Sequence, residues 1–109
     1  MAQRQWEVRG YEDERGTRPF EEWLSTLNKK NRARIEARLD RLICGNFGDY
    51  KAVGRGVYEL RLFFGSGYRI YYAIAGKQIV LLLAGGDKKS QTKDIRKAQS
   101  YWDQYRSRQ

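Results

Sequence analysis

Three consecutive apolar segments constrain the fold of this chain more than any other feature. They predict strands at about residues 57–63, 68–75 and 78–84. The breaks between them, Gly65-Ser66-Gly67 and Gly76-Lys77, are short and contain glycine, as in turns that join antiparallel neighbours. Residues 79–83 are apolar at every position, so the third strand should be central and covered on both faces. The sequence predicts a three-stranded antiparallel meander.

The residues before the meander predict one strand and two helices. Residues 6–11 alternate between apolar and polar side chains. Thr17 can cap a first helix that has Pro19 in its first turn, and Asn28 can cap a second helix that ends at Gly45. Each helix carries one apolar stripe, consisting of Phe20, Trp23, Leu24 and Leu27 in the first and Ile35, Leu39, Leu42 and Ile43 in the second. Two helices joined this closely predict an antiparallel helical hairpin.

The remaining segments complete an α+β architecture. Residues 46–56 contain three glycines and little periodicity, so they predict a loop. From Ser90 a last helix is predicted, with Ile95, Ala98, Trp102 and Tyr105 near one face. The predicted order is an N-terminal strand, a helical hairpin, a three-stranded antiparallel meander and a C-terminal helix. With a length of 109 residues, residues 1–109 are expected to form a single domain.

The composition excludes several kinds of site and location. The chain has no histidine, which argues against a zinc centre and against Ser-His or Cys-His catalysis. Its one cysteine, Cys44, cannot form an internal disulfide. Only Asp87 and Asp94 lie close together among the acids near the candidate site, so we expect neither a metal nor a cofactor. No apolar run approaches a membrane span and no signal core begins the chain, so a cytoplasmic location without membrane contact is expected.

The net charge of +9 at pH 7 points to a polyanionic partner, above all nucleic acid. Residues 29–44 alone carry six basic and two acidic side chains. The candidate RNA-binding residues are Arg32 and Arg38 in the second helix and Lys93 and Lys97 in the last helix. A basic surface that serves only solubility is the alternative.

Two arginines share the predicted hairpin. If the hairpin is centred on Gly65, Arg61 and Arg69 lie directly opposite each other, and like charges in that position destabilise a sheet by roughly 0.2–1 kcal/mol. Glu59, another acidic neighbour or an anionic ligand must offset this repulsion. A phosphate fits because two guanidinium groups can each grip it bidentately. Taken alone, the pattern also fits a solvated hairpin face with two unimportant arginines.

The segment Gly85-Gly86-Asp87-Lys88-Lys89 is predicted to leave the last strand and enter the C-terminal helix. Glycine lets the backbone approach a ligand, and a helix N-terminus favours anions. An ordinary strand-to-helix turn explains the segment equally well, and it matches no nucleotide-binding fingerprint.

A site of this kind can cleave RNA by attack of the 2′-hydroxyl on the adjacent phosphate. That reaction needs in-line positioning, stabilisation of the phosphorane charge and proton transfers. In a chain without histidine, the proton transfers fall to lysine, tyrosine or a carboxylate. Lys88 and Lys89 are the candidate lysines, and Glu59 and Asp94 are the candidate carboxylates.

The sequence resembles the RelE/ParE superfamily of small toxins, and within it the HigB-like "addiction module killer protein" branch. The likeness covers roughly residues 5–105. The matching segments are Gly45-Asn46-Phe47-Gly48-Asp49, Gly56-Val57-Tyr58-Glu59-Leu60-Arg61, Gly67-Tyr68-Arg69-Ile70-Tyr71-Tyr72 and Gly85-Gly86-Asp87-Lys88-Lys89-Ser90-Gln91, followed by Asp94-Ile95. The middle and C-terminal segments are specific in combination, and the helical region is less so.

The resemblance implies a compact RelE-like fold and a ribosome-dependent mRNA endonuclease that acts in the decoding site and inhibits translation. It also implies a cognate antitoxin, usually a helix-turn-helix protein in this branch, which inactivates the toxin and contacts the operator DNA. The basic positions of the superfamily fall on Arg61, Arg69, Lys88 and Lys89.

The chain departs from several relatives near the last helix. They place a catalytic tyrosine or histidine there, whereas this chain has Lys93, Asp94 and Ile95. Either Asp94, Tyr68 or Tyr101 substitutes in proton transfer, or that step differs. Two other functions stay open: a ParE-like, non-enzymatic inhibitor of DNA gyrase on the same fold, and a basic nucleic-acid-binding module without toxicity.

Overall fold

A computed structural model of the chain describes residues 5–109. Within that range it contains five strands and three helices, in an order that confirms the predicted α+β class. Their bounds are β1 Glu7–Gly10, α1 Pro19–Ser25, α2 Lys29–Ile43, β2 Tyr50–Gly54, β3 Val57–Arg61, β4 Arg69–Ala75, β5 Ile79–Gly86 and α3 Gln91–Ser107.

The described strands form one mixed sheet in the order β1-β5-β4-β3-β2. Strand β1 runs parallel to β5, and the other neighbours are antiparallel. The apolar strand β5 lies in the interior of the sheet, between β1 and β4, as its composition predicts. Its residues Val80, Leu81, Leu82 and Leu83 are buried because helices cover both sheet faces.

Each face of the sheet carries its own apolar core. On one face, Ala98 and Trp102 of α3 pack against Tyr71 and Leu83. On the other face, α1 and α2 pack against Leu60, Ile70, Tyr72 and Leu82, with Phe20 and Ile35 buried among them. The alternation predicted for β3 and β4 therefore sends successive side chains to opposite layers. None of the helices within residues 5–109 is long and apolar enough to cross a bilayer.

Strand β2 corrects the prediction of a loop over residues 46–56. Tyr50–Gly54 pairs with β3 at the edge of the sheet and is mostly exposed, so its sequence shows no buried apolar face. Backbone pairing with β3 holds it there, together with the partly buried Val53 and the ring contacts of Tyr50 with Phe47 and Tyr58. Arg55 and Gly56 join β2 to β3 with φ angles of 57° and 83°. Two successive positive φ angles are typical of a tight hairpin turn.

The predicted helix caps have different outcomes. Asn28 caps α2 as predicted, since its side-chain oxygen accepts a hydrogen bond from the Asn31 N–H at 2.8 Å. The prediction for Thr17 is wrong, because Arg18 occupies the cap position of α1 and provides no side-chain cap. The Thr17 N–H instead donates to the Asp13 carboxylate at 2.8 Å, which closes the turn before the helix.

Candidate functional site

Arg61 and Arg69 are directly opposed at the loop end of the β3–β4 hairpin, in the predicted register. Their side chains lie on the α3 face of the sheet, the same face as the side chains of Glu59 and Tyr71. The Arg69 side chain is 13% exposed and the Arg61 side chain is 38% exposed. Two cations are thus held side by side where both still reach solvent.

Glu59 lies between the two arginines and is fully buried. One carboxylate oxygen lies 3.5 Å from Arg61 Nε, and the other lies 3.6 Å from Arg69 Nε. Lys51 of the edge strand adds a third cation, with its Nζ 3.9 Å from the first oxygen. The structure therefore offsets the repulsion between the arginines with an acidic neighbour, one of the alternatives that the sequence left open.

Two neutral donors complete the surroundings of Glu59. Gln91 Nε2 donates to its carboxylate at 2.7 Å, and the Tyr71 hydroxyl donates to the same oxygen at 3.2 Å. Burial, and next the negative charge of Glu59, raises the pKa of Tyr71, so its hydroxyl stays protonated and remains a donor. Sequence reasoning missed both donors. Tyr71 sits opposite Glu59 in the hairpin register and could have been found, whereas Gln91 comes from another element.

The arginines retain donors that the protein does not use. Their distances to Glu59 are longer than a good hydrogen bond. Among residues 5–109, neither Arg61 Nε nor Arg69 Nε has a hydrogen-bond partner. One hydrogen bond orients the Arg69 guanidinium, since its Nη1 donates to the Gly67 carbonyl at 2.7 Å. We call Arg61, Arg69 and Glu59 the arginine clamp. Both Nε atoms are buried beside Glu59, so a tetrahedral oxyanion such as phosphate would contact the exposed part of each arginine side chain.

The glycines of the GGDKK segment lie inside β5 and not in the turn, which corrects the sequence-based placement. Gly86 pairs with Arg69 across the sheet. The turn itself is closed by Asp87, whose carboxylate accepts from the N–H groups of Lys89 at 2.9 Å and Ser90 at 3.2 Å. Burial alone would raise the pKa of Asp87, but these hydrogen bonds and those from side-chain hydroxyls lower it overall.

Lys88 and Lys89 leave this turn with exposed side chains. Lys88 lies beside the clamp, because a side chain on Gly67 would touch both Lys88 Cβ and Arg69 Nη1 at 3.4 Å. The carboxylate of Asp94 is buried behind Gly86 and accepts a short hydrogen bond from Ser90 Oγ at 2.5 Å. Of the predicted catalytic residues, Arg61 and Arg69 are therefore brought together directly, and the Lys88 backbone lies near Arg69.

Tyr68 packs away from the clamp. Its ring makes edge contacts with Trp23 and Phe64 among the residues of the α1–α2 layer. Its hydroxyl accepts a hydrogen bond from Asn31 Nδ2 at 3.1 Å. The structure thus places this predicted catalytic residue on the opposite face of the sheet from Arg69.

The four predicted RNA-binding residues do not form one surface. Arg38 lines a groove between α2 and the end of β3, whereas Arg32 lines a separate groove that also contains Glu21 and Glu36. Lys93 and Lys97 are exposed on α3, in another layer of the fold. In the part of the chain that the structure describes, no three side chains of histidine, cysteine, aspartate or glutamate are grouped so that they could hold a metal ion.

Comparisons with known proteins place the chain among relatives. A family model described as "Phage derived protein Gp49-like" matches residues 22–102. An uncharacterized protein of Haemophilus influenzae is 49% identical over 83 residues, which are 75% of this chain and 84% of the relative. A mutant of the E. coli toxin RelE in the free state has a similar fold, with a TM-score of 0.59 and 18% identity over 84% of this chain and 96% of that chain.

Proposed function

Since the chain belongs to the phage-derived Gp49-like family and has a RelE-like fold, we propose that it is a toxin of the RelE/ParE superfamily from a toxin–antitoxin module and that it acts as a ribosome-dependent mRNA endonuclease. The observation that carries this proposal is the arginine clamp. Two opposed arginines are held in place by one buried carboxylate, and both side chains keep a part exposed to solvent. A protein that binds another protein has no evident need to concentrate cations on one point in this way.

The clamp fits the cleavage of RNA by its own 2′-hydroxyl. The 2′-oxygen forms a bond to phosphorus as the bond from phosphorus to the 5′-oxygen breaks. The products are a 2′,3′-cyclic phosphate and a 5′-hydroxyl end. Arg61 and Arg69 bind the non-bridging oxygens, whose negative charge grows in the phosphorane. Because Glu59 fixes both guanidinium groups beforehand, little reorganisation is needed in the transition state.

The two proton transfers fall to groups around the clamp. One group takes the proton of the 2′-hydroxyl and another gives a proton to the departing 5′-oxygen. Lys88 is the best placed of the predicted candidates because it lies beside Arg69 and is exposed. Lys89 and Asp94 remain candidates, and Tyr71 is engaged as a donor to Glu59. Glu59 itself is enclosed by cations and neutral donors, so we assign it to holding the arginines.

The toxin acts with partners that follow from its class. A cognate antitoxin is implied by the toxin–antitoxin family. We propose that this antitoxin is a helix-turn-helix protein and that operator DNA is bound only through it. The ribosome and its mRNA are the proposed targets, which places the action in the cytoplasm. Assignment to the HigB-like branch stays a prediction.

The proposal is tested by inducing the toxin without its antitoxin and mapping the 5′ ends of cellular transcripts. We expect growth arrest and cuts within translated regions. Arg61→Ala and Arg69→Ala should each reduce cleavage, since a lost charge-assisted phosphate contact costs about 1.5–3 kcal/mol, or about 10- to 150-fold. Arg15→Ala is the matched control, because Arg15 is exposed and lies outside the clamp. Arrested cells with intact transcripts and gyrase-linked DNA breaks would instead favour a ParE-like gyrase inhibitor.

A further inference from the structure

A second basic surface lies next to the clamp and shares only Arg61 with the proposed cleavage step. It is a groove of about 460 Å³ between α2 and the chain from Arg61 to Phe64, which we call the α2 groove. Its lining includes one carboxylate, that of Asp49, and four arginines: Arg34, Arg38, Arg41 and Arg61. Within residues 5–109, no salt bridge joins Arg34, Arg38 or Arg41 to a carboxylate. Their charge is therefore available to a ligand.

Arg38 is built into the floor of the α2 groove. Its Nη1 donates to the Asn46 carbonyl at 3.2 Å. Gly48 has a φ of 61°, and a side chain there would overlap the Arg38 guanidinium, so the loop is shaped around this arginine. Burial, and next the charge of Arg41, lowers the pKa of Arg38. A half-buried cation facing another cation is unfavourable unless an anion joins them.

An exposed aromatic ring stands beside these cations. The side chain of Phe63 is 81% exposed although its neighbour Leu62 is buried. The guanidinium of Arg34 stacks on the adjacent ring of Phe64, with 4.0 Å between Cζ and the ring centroid. Arginines with an exposed ring form the usual platform for single-stranded nucleic acid, in which cations follow the backbone and bases stack on the ring.

The α2 groove is continuous with the clamp through Arg61, which belongs to both. The backbone also ties the two together, because the Arg61 N–H donates to the Asp49 carbonyl at 2.9 Å. The clamp lies on the α3 face of the sheet and the groove on the α2 side, so a chain whose phosphate is held by Arg61 and Arg69 would reach the groove by passing around the end of β3. An acidic peptide would use the arginines but would leave Phe63 unexplained.

We propose that the α2 groove binds the stretch of single-stranded RNA adjacent to the scissile phosphate. Arg34, Arg38 and Arg41 contact its phosphates, and a base stacks on Phe63. The choice of RNA as ligand rests on the proposed function, but binding in the groove is separable from cleavage at the clamp. This substrate subsite differs from the predicted RNA-binding set, since of that set it contains Arg38 alone.

The probe is a fluorescent, 2′-O-methylated RNA decanucleotide of mixed sequence, which binds without being cut. Anisotropy titrations from 50 to 300 mM KCl compare wild type with Arg34→Gln/Arg41→Gln and with Phe63→Ser. The control, Arg15→Gln/Lys77→Gln, removes the same charge at exposed positions outside the groove. Circular dichroism verifies that every variant is folded. These substitutions avoid Arg38, whose removal would disturb the loop around Asn46 and Gly48.

The two groove variants should differ in their salt dependence. The double arginine variant should bind at least about 100-fold more weakly and lower the salt slope by about 1.4, since each single-strand phosphate contact contributes about 0.7. Phe63→Ser should weaken binding by about 5- to 150-fold with the wild-type slope, because stacking involves no counterion release. The control should stay within about threefold of wild type.

Three results would overturn the assignment. Equal weakening in the control would mean that net charge alone attracts RNA. Wild-type RNA affinity in Phe63→Ser would show that no base stacks on Phe63. Normal RNA binding with lost antitoxin binding in the groove variants would make the groove an antitoxin surface. If the wild-type protein cuts no mRNA but the groove variants still bind RNA more weakly as expected, the endonuclease proposal fails and the proposed RNA subsite stands.

Discussion

At position 59 the sheet buries a carboxylate that faces three cations and two neutral donors. Removing a carboxylate from water costs several kcal/mol, and the surrounding charges and hydrogen bonds must offset that cost. Because Arg69 is 13% exposed and Arg61 is 38% exposed, their charges are themselves only partly hydrated. The three residues therefore depend on one another both for stability and for position.

The first prediction follows from that mutual dependence. Glu59→Gln should destabilise the fold by about 1–3 kcal/mol, less than for a fully buried pair because Arg61 retains hydration. Urea denaturation measures the loss, and the m value shows whether the variant still unfolds in one step. Adding Arg69→Met should restore part of the stability, since the uncompensated charge is removed. Additive losses in the double variant would mean that the two side chains do not interact.

The second prediction concerns the two lysines after β5. Lys88→Ala and Lys89→Ala should differ, because one lysine transfers a proton and the other only contacts RNA. The position of Lys88 beside Arg69 favours Lys88 for proton transfer. Its loss should slow the chemical step by about 10²–10⁴-fold with little change in ribosome affinity. Loss of the contact lysine should weaken binding and flatten its salt dependence.

Single-turnover cleavage at saturating ribosome concentration separates the two roles, because affinity no longer limits the rate there. If both lysine variants cleave at the wild-type rate under that condition, neither lysine is catalytic. Proton transfer would then fall to Asp94 or to a group of the ribosome or the RNA, with positioning by the clamp as the toxin's contribution.

At the scale of elements, the end of β5 is shaped by close packing. The Trp23 ring of α1 lies over Gly85, where a side chain would overlap it. A side chain on Gly86 would likewise overlap the side chains of Asp94 and Ser90 at the start of α3. The two glycines thus let helices from both layers approach the strand that carries Lys88 and Lys89 to the site.

The third prediction tests this packing. Gly85→Ala should destabilise the fold by about 1–3 kcal/mol, because the partly buried indole of Trp23 and the strand must shift to admit a methyl group. Gly10→Ala is the control within the same sheet. There the new methyl group would meet only the flexible end of Glu21, so the change should stay within about 0.5 kcal/mol. Equal midpoints in urea for the two variants would contradict the assigned role of Gly85.

The sequence predicts those elements whose buried apolar residues recur at a regular spacing along the chain. Strands β3, β4 and β5 alternate or are apolar throughout, and the turn at Gly65 fixes the opposition of Arg61 and Arg69. Strand β2 was missed because an exposed edge strand needs no apolar face. Burial of Glu59 could be suspected from its place two residues before Arg61. The donor Gln91 could not, since it reaches Glu59 only through tertiary packing of α3.

The α2 groove shows the same limit for a binding surface. Sequence reasoning selected Arg32 and Arg38 from the basic helix without resolving their faces. Packing directs Arg38 into the groove and Arg32 into another one beside Glu21 and Glu36. The exposed ring of Phe63, which falls in the predicted end of a strand, lies beyond the last residue of β3. Only the docking of α2 against that strand end brings ring and arginines together.

At the scale of the whole molecule, a net charge of +9 on 109 residues is a standing cost to the folded state. Much of that charge lies in α2, in the clamp and after β5, where few carboxylates oppose it. Any anion that binds only the folded chain should relieve this repulsion and stabilise the protein by mass action. The effect gives a test of the clamp that needs neither ribosome nor cleavage.

The fourth prediction is that sulfate stabilises the protein more than chloride does at equal ionic strength, because sulfate has the tetrahedral shape of a phosphate diester. If sulfate binds with a Kd of about 1 mM, 10 mM sulfate adds about 1.4 kcal/mol and raises Tm by several degrees. Arg69→Ala should abolish most of the difference between the two salts while keeping the common ionic-strength effect. Arg15→Ala should keep both effects, because Arg15 lies outside the clamp. A sulfate-specific rise in Tm that is equal in wild type and Arg69→Ala would show that the arginine clamp is not the oxyanion site.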